Sequence, residues 1–263
     1  MNRAALTLAA ALTGATTAGA AAAELRVGIS SDNPPWSFVP ERVPALLAVA
    51  SPMPAVTPAQ FKTLTGLDVD IANALGRQMG TGVRFVPANW GSIEKELVDN
   101  SFDAILSSWT PSRHTPAAVV ASDPYFSWGL VICVRSGDAH VKAYADLAQA
   151  KLVGHYSDPA VEQTLRSMGA IRMKSYDNEA ILFRDLKSGA IDVLVHDSTY
   201  VRWRTNLDPG FSVVGEPLNK LGYHVGLRKE DKPLLDRVQA AIHALVASPE
   251  MARIRAKWDA YGK

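Results

Sequence analysis

The sequence predicts an α/β protein built as two lobes. A unit of strand, polar turn and helix recurs around Ser30, Trp90 and Ser107 in the first half, and around Tyr156 and Asp197 in the second. Alternating strands and helices are typical of parallel sheets covered by helices. Because there are two such sets, we expect a mostly parallel, helix-flanked sheet in each lobe. A ligand cleft is expected between the lobes, where strand ends meet and small-molecule sites are common.

The composition narrows the class of protein. The chain has 263 residues, of which 48% are hydrophobic and 20% charged, as is ordinary for a soluble globular protein. Its net charge of +1 argues against bulk electrostatic attraction to nucleic acid or to an anionic membrane. A local charged site remains compatible with this balance.

The first residues resemble a secretory signal rather than part of the fold. A short basic start at Met1–Arg3 is followed by an apolar, alanine-rich run over 4–23, which ends in the small residues 21–23. This pattern is typical of a cleaved signal peptide. We therefore expect secretion into the periplasm, with the mature chain starting near Glu24.

The single cysteine, Cys133, lies in the apolar run 129–134 and is expected to be a buried hydrophobic residue. An exported chain with one cysteine has no internal disulfide. His155 and His196 follow strands but are not at metal-ligand spacing with a cysteine or a carboxylate pair, so no metal and no cofactor are expected.

The first half predicts a proline-interrupted insert among regular elements. Residues 40–65 carry five prolines among apolar residues and predict a loop packed on the surface, with one helical turn near 45–49. Asp68 and Asp70 fall in the first turn of the next helix, where they suit the helix dipole. Ser92 is the expected N-cap of a short helix. The predicted strands are 24–30, 83–87 and 103–106, and the predicted helices are 66–79 and 92–98.

The second half predicts a similar alternation. Its predicted strands are 129–134, 151–155, 171–176, 190–195, 211–214 and 221–227, and its predicted helices are 143–148, 160–168, 178–187, 232–247 and 249–261.

The stretch 101–113, running on to Ser122-Asp-Pro-Tyr-Phe126, is the strongest candidate for a site. It is interpreted as a buried strand that ends in a polar turn carrying Ser107, Ser108, Thr110 and Arg113. A guanidinium at a strand end offers two parallel hydrogen bonds to a carboxylate. The alternative is a solvated turn with Arg113 in ordinary surface pairs.

An ordered set of motifs resembles the family-3 extracellular solute-binding proteins, the polar amino-acid receptors of ABC importers. Residues 66–72 are similar to the family's Gly-Phe-Asp-Val-Asp-Leu-Ala, and 108–113 resemble its Ser-Ile-Thr-Pro-Glu-Arg. Similar matches occur at 102–105, at 122–126, at 189–197 and at Lys257-Trp258. The likeness covers nearly all of the expected mature chain.

The resemblance implies a two-lobed type II periplasmic-binding fold. Lobe one would comprise 24–132 plus 222–263, and lobe two 133–221. The implied ligand is a small amino acid or related carboxylate, which the lobes would capture by closing. The implied partner is an ABC permease in the inner membrane. The protein is expected to be a monomer and to bind no nucleic acid.

The resemblance also implies roles for individual residues. Arg113 would bind the ligand α-carboxylate with help from Ser108, Asp197 would receive the α-ammonium, and Trp90 would form a wall. The candidate ligand-binding residues are Arg113, Ser108, Asp197, Trp90, Thr110, Asn33 and Ala160. For Asp197 the alternative is an N-cap of the following helix, and for Trp90 it is a place in the core.

Several positions depart from the family pattern. Ser30 and Asn33 stand where the family has an acidic residue and an aromatic one, and the Asp158-Pro-Ala160 turn replaces its Gly-Thr-Thr.

The main alternative function is an enzyme similar to the cyclohexadienyl dehydratases, which share this fold. Its acid would have to be Glu162, His155 or Asp197, but no catalytic motif singles one out, and the chain is interpreted as a non-enzyme. A sensor or accessory lobe is a further alternative.

Overall fold

The computed structural model describes residues 24–48, 54–138, 140–157, 159–169 and 172–259, with residues 159 and 160 described through their backbone alone. The predicted signal peptide and Asp158 lie outside the described residues. Within the described ranges, no helix combines the length and the apolar character that a membrane crossing requires.

The first lobe is built on a five-stranded sheet in the order β4-β1-β5-β12-β6. Strand β1 pairs in parallel with β4 and β5, whereas β12 pairs antiparallel with β5 and β6. The strands are β1 Leu25–Ile29, β4 Val83–Pro87, β5 Ala104–Ile105, β6 Val119–Trp128 and β12 Leu221–Arg228, and a small hairpin pairs β2 Asp32–Asn33 with β3 Ser37–Phe38.

The second lobe is built on a sheet in the order β11-β7-β10-β8-β9. Strands β8, β9 and β10 are parallel neighbours, and β7 pairs antiparallel with β10 and β11. The strands that run antiparallel to their neighbours are thus β7, through which the chain enters the second lobe, and β12, through which it returns to the first. The strands are β7 Leu130–Arg135, β8 Val153–Tyr156, β9 Met173–Tyr176, β10 Val193–Asp197 and β11 Phe211–Val214.

Helices pack against both sheets. In the first lobe they are α1 Val43–Leu47, α2 Pro58–Phe61, α3 Leu67–Met79, α4 Ile93–Val98, α8 Lys232–Val246 and α9 Pro249–Asp259. In the second lobe they are α5 Pro159–Ser167, α6 Glu179–Ser188 and α7 Ser198–Leu207. Short 3₁₀ segments cover Pro40–Arg42 and Tyr144–Gln149.

The chain changes sheets at Gly129. Trp128 pairs with Leu221 in the first sheet, and Leu130 pairs with Asp197 in the second. Residues 130–132, which the predicted boundaries assign to lobe one, therefore belong to the sheet of lobe two. The apolar run 129–134 does not reveal where one sheet ends and the other begins, because Trp128 and the residues that follow it are buried on both sides of the crossing.

Strand β6 is absent from the sequence prediction, which treats residues 122–126 as the continuation of a polar turn. Pro124 cannot donate a backbone hydrogen bond, and it lies at an edge strand where the pairing with β12 shifts register. A proline is tolerated at such a position. Partner strand β12, remote in sequence, supplies the pairing that the local pattern does not indicate.

The proline-rich insert is described at 40–48 and 54–65, and its first part reaches the second lobe. Its helix α1 covers 43–47, two residues before the predicted turn at 45–49, and contacts α6. Arg42 is buried, and its Nε and Nη2 bond the two carboxylate oxygens of Asp32 at 2.7 and 2.9 Å. This bidentate pair fixes the start of the insert to the β2–β3 hairpin.

Helix α4 begins after Ser92, but the predicted side-chain cap is wrong. The Ser92 hydroxyl donates to Oε1 of Glu96 at 2.6 Å instead of accepting a backbone N–H. A carboxylate one turn along the helix competes successfully for this hydroxyl, because hydrogen bonds to charged acceptors are stronger.

Asp68 and Asp70 lie in the first turn of α3 as predicted, and both also make tertiary contacts. Asp70 accepts from Lys257 Nζ at 2.6 Å and from Trp258 Nε1 at 2.8 Å. Asp68 is fully buried, accepts the Tyr125 hydroxyl at 2.8 Å and accepts the backbone N–H of Ser108. Asp68 therefore ties the start of α3 to the turn that follows β5.

Gly66 precedes α3 at a position that admits no side chain. Its φ is +145°, and a Cβ would lie 2.0 Å from the carbonyl oxygen of Trp36. Gly80, which ends the same helix with φ +65°, has no atom within 4 Å of such a Cβ.

We expect Gly66→Ala to lower the free energy of unfolding by at least about 2 kcal/mol, because it combines backbone strain with a clash. Gly80→Ala is the matched control and should cost only about 1 kcal/mol. Urea denaturation of both variants measures the difference, and equal losses would contradict the close approach at Trp36.

Burial raises the pKa of Asp68 from 3.8 to about 7, although hydrogen bonds from Ser108 and Tyr125 favour the ionised form. Between these two values the folded state holds a proton that the unfolded state has released. This carboxyl therefore stabilises the fold at low pH, and its contribution is lost as the pH rises through about 7.

We expect the unfolding free energy to fall more steeply with pH in the native sequence than in Asp68→Asn. The extra fall between about pH 5 and about pH 8 should exceed about 1 kcal/mol. Urea denaturation at both pH values tests this, and parallel pH profiles for the two proteins would show that Asp68 is ionised in the fold throughout.

Candidate functional site

The carboxyl ends of the first-lobe strands converge on Ser107, which is buried at the end of β5. The backbone N–H of Ser30 donates to its hydroxyl at 3.1 Å. The indole N–H of Trp90 donates to its carbonyl at 3.1 Å. The turns after β1, β4 and β5 therefore meet at one residue, as the parallel order of these strands predicts.

Three predicted site residues lie together at this point: Asn33, Trp90 and Ser108. The Asn33 amide donates to the Ser108 hydroxyl at 2.9 Å, and that hydroxyl donates to the carbonyl of Ser107 at 2.7 Å. Trp90 is 48% exposed, so the alternative that it belongs to the core is wrong. The group forms a neutral, polar wall with an open aromatic ring.

Ser108 has a left-handed backbone, with φ at +49°. This conformation is unusual for a serine, and the hydrogen bond from its N–H to the buried Asp68 carboxylate holds it in place. Asp68 is a positioning residue that the sequence prediction missed, because a helix-dipole role explains an acidic first turn equally well.

Thr110 and Arg113 continue the turn toward the second lobe. The Thr110 hydroxyl donates to the carbonyl of Gly222 at 2.9 Å, which ties the turn to β12. Arg113 is exposed, and its Nε donates to Nε2 of His114 at 3.1 Å. The Arg113 charge acts on Glu162 of α5: the pKa of Glu162 is lowered first by Arg166 and also by His155 and Arg113.

Asp197 ends β10 in the second sheet and is 7% exposed. Its Oδ1 accepts the backbone N–H groups of Thr199 at 2.6 Å and Tyr200 at 3.3 Å, so it caps α7 as the alternative interpretation states. Burial raises the pKa of Asp197 to about 6, against hydrogen bonds led by that of Tyr223. Capping uses one oxygen of the carboxylate and leaves Oδ2 for another donor.

The sequence prediction missed Tyr223, whose hydroxyl donates to Oδ2 of Asp197. Tyr223 belongs to β12 in the first sheet, so this hydrogen bond joins the two lobes. A tyrosine in an apolar strand predicts packing and gives no local sign of its partner. Trp36 also joins the lobes, since its ring stacks on Tyr200 of α7 at a centroid distance of 6.1 Å.

Ala160 lies in the first turn of α5, and its side chain is outside the described part. The neighbouring Asp158 is likewise outside it, so the predicted role of this turn stays a prediction.

His155 is buried, with Nδ1 2.8 Å from the carbonyl oxygen of Tyr156, and His196 stacks on Tyr200. The described residues contain no cluster of three metal-ligating side chains.

A crevice of about 200 Å³ opens between the lobes beside Asp197. Thr199 and Arg202 line it from α7, and Leu67 and Trp258 line it from the first lobe. A second depression, of about 300 Å³, lies between α3 and α9 and is lined by the ion pairs of Asp70 and Glu250. The predicted site residues line neither of these two depressions, and converging strand ends define the site.

Comparison with known proteins identifies relatives over nearly the whole chain. The family model for bacterial extracellular solute-binding proteins, family 3, matches residues 47–261. The ABC transporter arginine-binding protein 1 of Escherichia coli (strain K12) is 24% identical over 259 residues, covering 96% of this chain and 98% of that protein.

Solved structures agree with this relationship. An ancestral arginine-binding protein bound to arginine has a TM-score of 0.68 and 26% identity, covering 91% of this chain and 99% of that one. An ancestral amino acid-binding protein described as a precursor of cyclohexadienyl dehydratase has a TM-score of 0.69 and 26% identity, with coverage of 89% and 95%. The chain belongs to the bacterial extracellular solute-binding proteins of family 3 and has their two-lobed type II fold.

Proposed function

We propose that the chain is the periplasmic receptor of an ABC importer and binds a small amino acid or related carboxylate between its lobes. The relatives include an arginine-binding protein of an ABC transporter, which makes arginine a first candidate ligand. The signal-like residues 1–23 support export, and the partner would be a permease in the inner membrane. The receptor is proposed to act as a monomer.

The placement of charge carries this function. Arg113 is an exposed cation at the end of the first-lobe turn, whereas Asp197 is a buried carboxylate at a strand end of the other lobe. A zwitterion needs one fixed cation and one fixed anion. Closure of the lobes around it would exclude water and strengthen both pairs.

The remaining contacts would orient the ligand. The Arg113 guanidinium would donate two parallel hydrogen bonds to the α-carboxylate. The Ser108 hydroxyl can turn away from the Ser107 carbonyl and donate to the same carboxylate. Asn33 and the open ring of Trp90 would face the ligand side chain. Because Ser30 and Asn33 are neutral, selectivity among side chains would rest on shape and on neutral hydrogen bonds.

The dehydratase alternative has less support. It needs a protonated acid near the leaving hydroxyl. The hydrogen bond from Arg166 lowers the pKa of Glu162 and favours its ionised form, and both oxygens of Asp197 already accept hydrogen bonds from α7 and Tyr223. The relative named as a precursor of such an enzyme is itself described as an amino acid-binding protein.

A thermal-shift panel of amino acids and carboxylates tests the proposal. Ligand at about a hundred times its Kd should stabilise the fold by about 2.7 kcal/mol, which corresponds to a rise in Tm of roughly 5–10 °C. Arg113→Ala should abolish the shift, and Arg237→Ala, an exposed arginine on α8, is the matched control that should retain it. No shift with any compound would contradict the transport function, and turnover of prephenate would favour the enzyme.

Asp197→Asn separates the capping role of this residue from its proposed ligand role. Asparagine caps helices as well as aspartate does, so circular dichroism and Tm should change little. Loss of the negative charge should weaken binding of the amino acid by at least about tenfold in titration calorimetry. Unchanged affinity in a folded variant would place the ammonium elsewhere.

A further inference from the structure

The hydrogen bond between Tyr223 and Asp197 connects the two sheets directly. Tyr223 lies in β12, next to the point where the chain returns from the second lobe, and Asp197 lies at the end of β10. Both side chains are buried, at 1% and 7% exposure. Donor and acceptor belong to different sheets, so a lobe movement that separates the end of β10 from β12 breaks the bond.

The ring of Tyr223 is held by first-lobe aromatic residues. Trp128 and Phe126 stack on it at centroid distances of 5.3 and 6.0 Å, and Trp36 meets it edge-on at 5.9 Å. The hydroxyl therefore has a position set by the first lobe, so it meets Asp197 without rearrangement when the lobes close.

The free acceptor capacity of Asp197 is small. A carboxylate oxygen accepts about two hydrogen bonds, and Oδ1 already accepts two backbone N–H groups of α7. A ligand ammonium must therefore bind Oδ2, the oxygen that already accepts the hydroxyl of Tyr223. The low exposure of Asp197 leaves the ammonium little room to approach while Tyr223 is in place.

We propose that Tyr223 is an affinity-determining residue: it ties the lobes together on Asp197 when the site is empty and competes there with the ligand ammonium. The competition rests on the proposed function, whereas the tie between the lobes does not. Under this proposal, ligand binds only those molecules in which the hydrogen bond between Tyr223 and Asp197 is broken. The apparent affinity for ligand is therefore the intrinsic affinity multiplied by the fraction of such molecules.

Tyr223→Phe removes the hydroxyl and keeps the ring. A matched control is Tyr176→Phe, because Tyr176 is also buried and donates to a carboxylate, Asp185 Oδ2 at 2.8 Å, within the second lobe. Asp197→Ser provides a second test of the tie, since serine retains a helix cap but lacks the second oxygen.

Lobe separation can be measured in ligand-free protein by electron paramagnetic resonance. Spin labels on Ala117→Cys and Gln163→Cys would report the distance between the first-lobe turn and α5, and both positions are exposed. The native Cys133 is fully buried, and burial raises its pKa to about 12, so it should not be labelled. We expect longer distances in Tyr223→Phe and Asp197→Ser, and native distances in Tyr176→Phe.

Ligand titration tests the competition. We expect Tyr223→Phe to bind amino acid roughly tenfold more tightly than the native sequence, the factor that a hydrogen bond to a charged group is worth. Weaker binding would overturn the competition and make Tyr223 a partner of the ammonium. Unchanged ligand-free distances in both Tyr223→Phe and Asp197→Ser would overturn the tie. If the distances lengthen but no amino acid binds, the tie stands and the proposed function fails.

Discussion

The buried carboxylate of Asp68 holds together the parts of the first lobe on which the site depends. It accepts the backbone N–H of Ser108 and the hydroxyl of Tyr125, and it lies in the first turn of α3, which follows the constrained Gly66. Burial of a carboxylate is costly unless its oxygens are satisfied, so this arrangement requires both donors. One residue thereby fixes the helix start, the edge strand β6 and the left-handed turn at Ser108.

The contact between the lobes uses aromatic rings together with polar bonds, which include the hydrogen bond from Tyr223 to Asp197 and the ion pair of Arg202 on α7 with Asp259 on α9. Tyr223 and Trp36 contribute from the first lobe, and Tyr200 and Asp197 from α7 of the second. Stacked rings contribute apolar burial over a broad area, whereas the hydroxyl–carboxylate bond requires one particular geometry. The rings thus favour contact, and the polar bonds select the register in which the lobes meet.

The two proposed charge sites differ in their surroundings. Asp197 is buried, caps a helix and accepts three hydrogen bonds, so its position is determined before any ligand arrives. Arg113 is exposed on a turn, beside His114 and within electrostatic reach of Glu162. With the buried partner in the second lobe and the exposed one at the rim of the first, the proposed site would fix the ligand position through the second lobe.

Sequence patterns alone predict the α/β class, the two sets of elements, the helix at 66–79 and the family. The elements follow from the periodicity of residues within one segment, and the family follows from the order of short motifs along the chain. Contacts in the folded chain establish that β6 is a strand, that the chain changes sheets at Gly129, and that Asp68 and Tyr223 hold Ser108 and Asp197. Each of these depends on a partner more than twenty residues away, because hydrogen bonds and buried charges are satisfied in space and leave no periodic pattern in the chain.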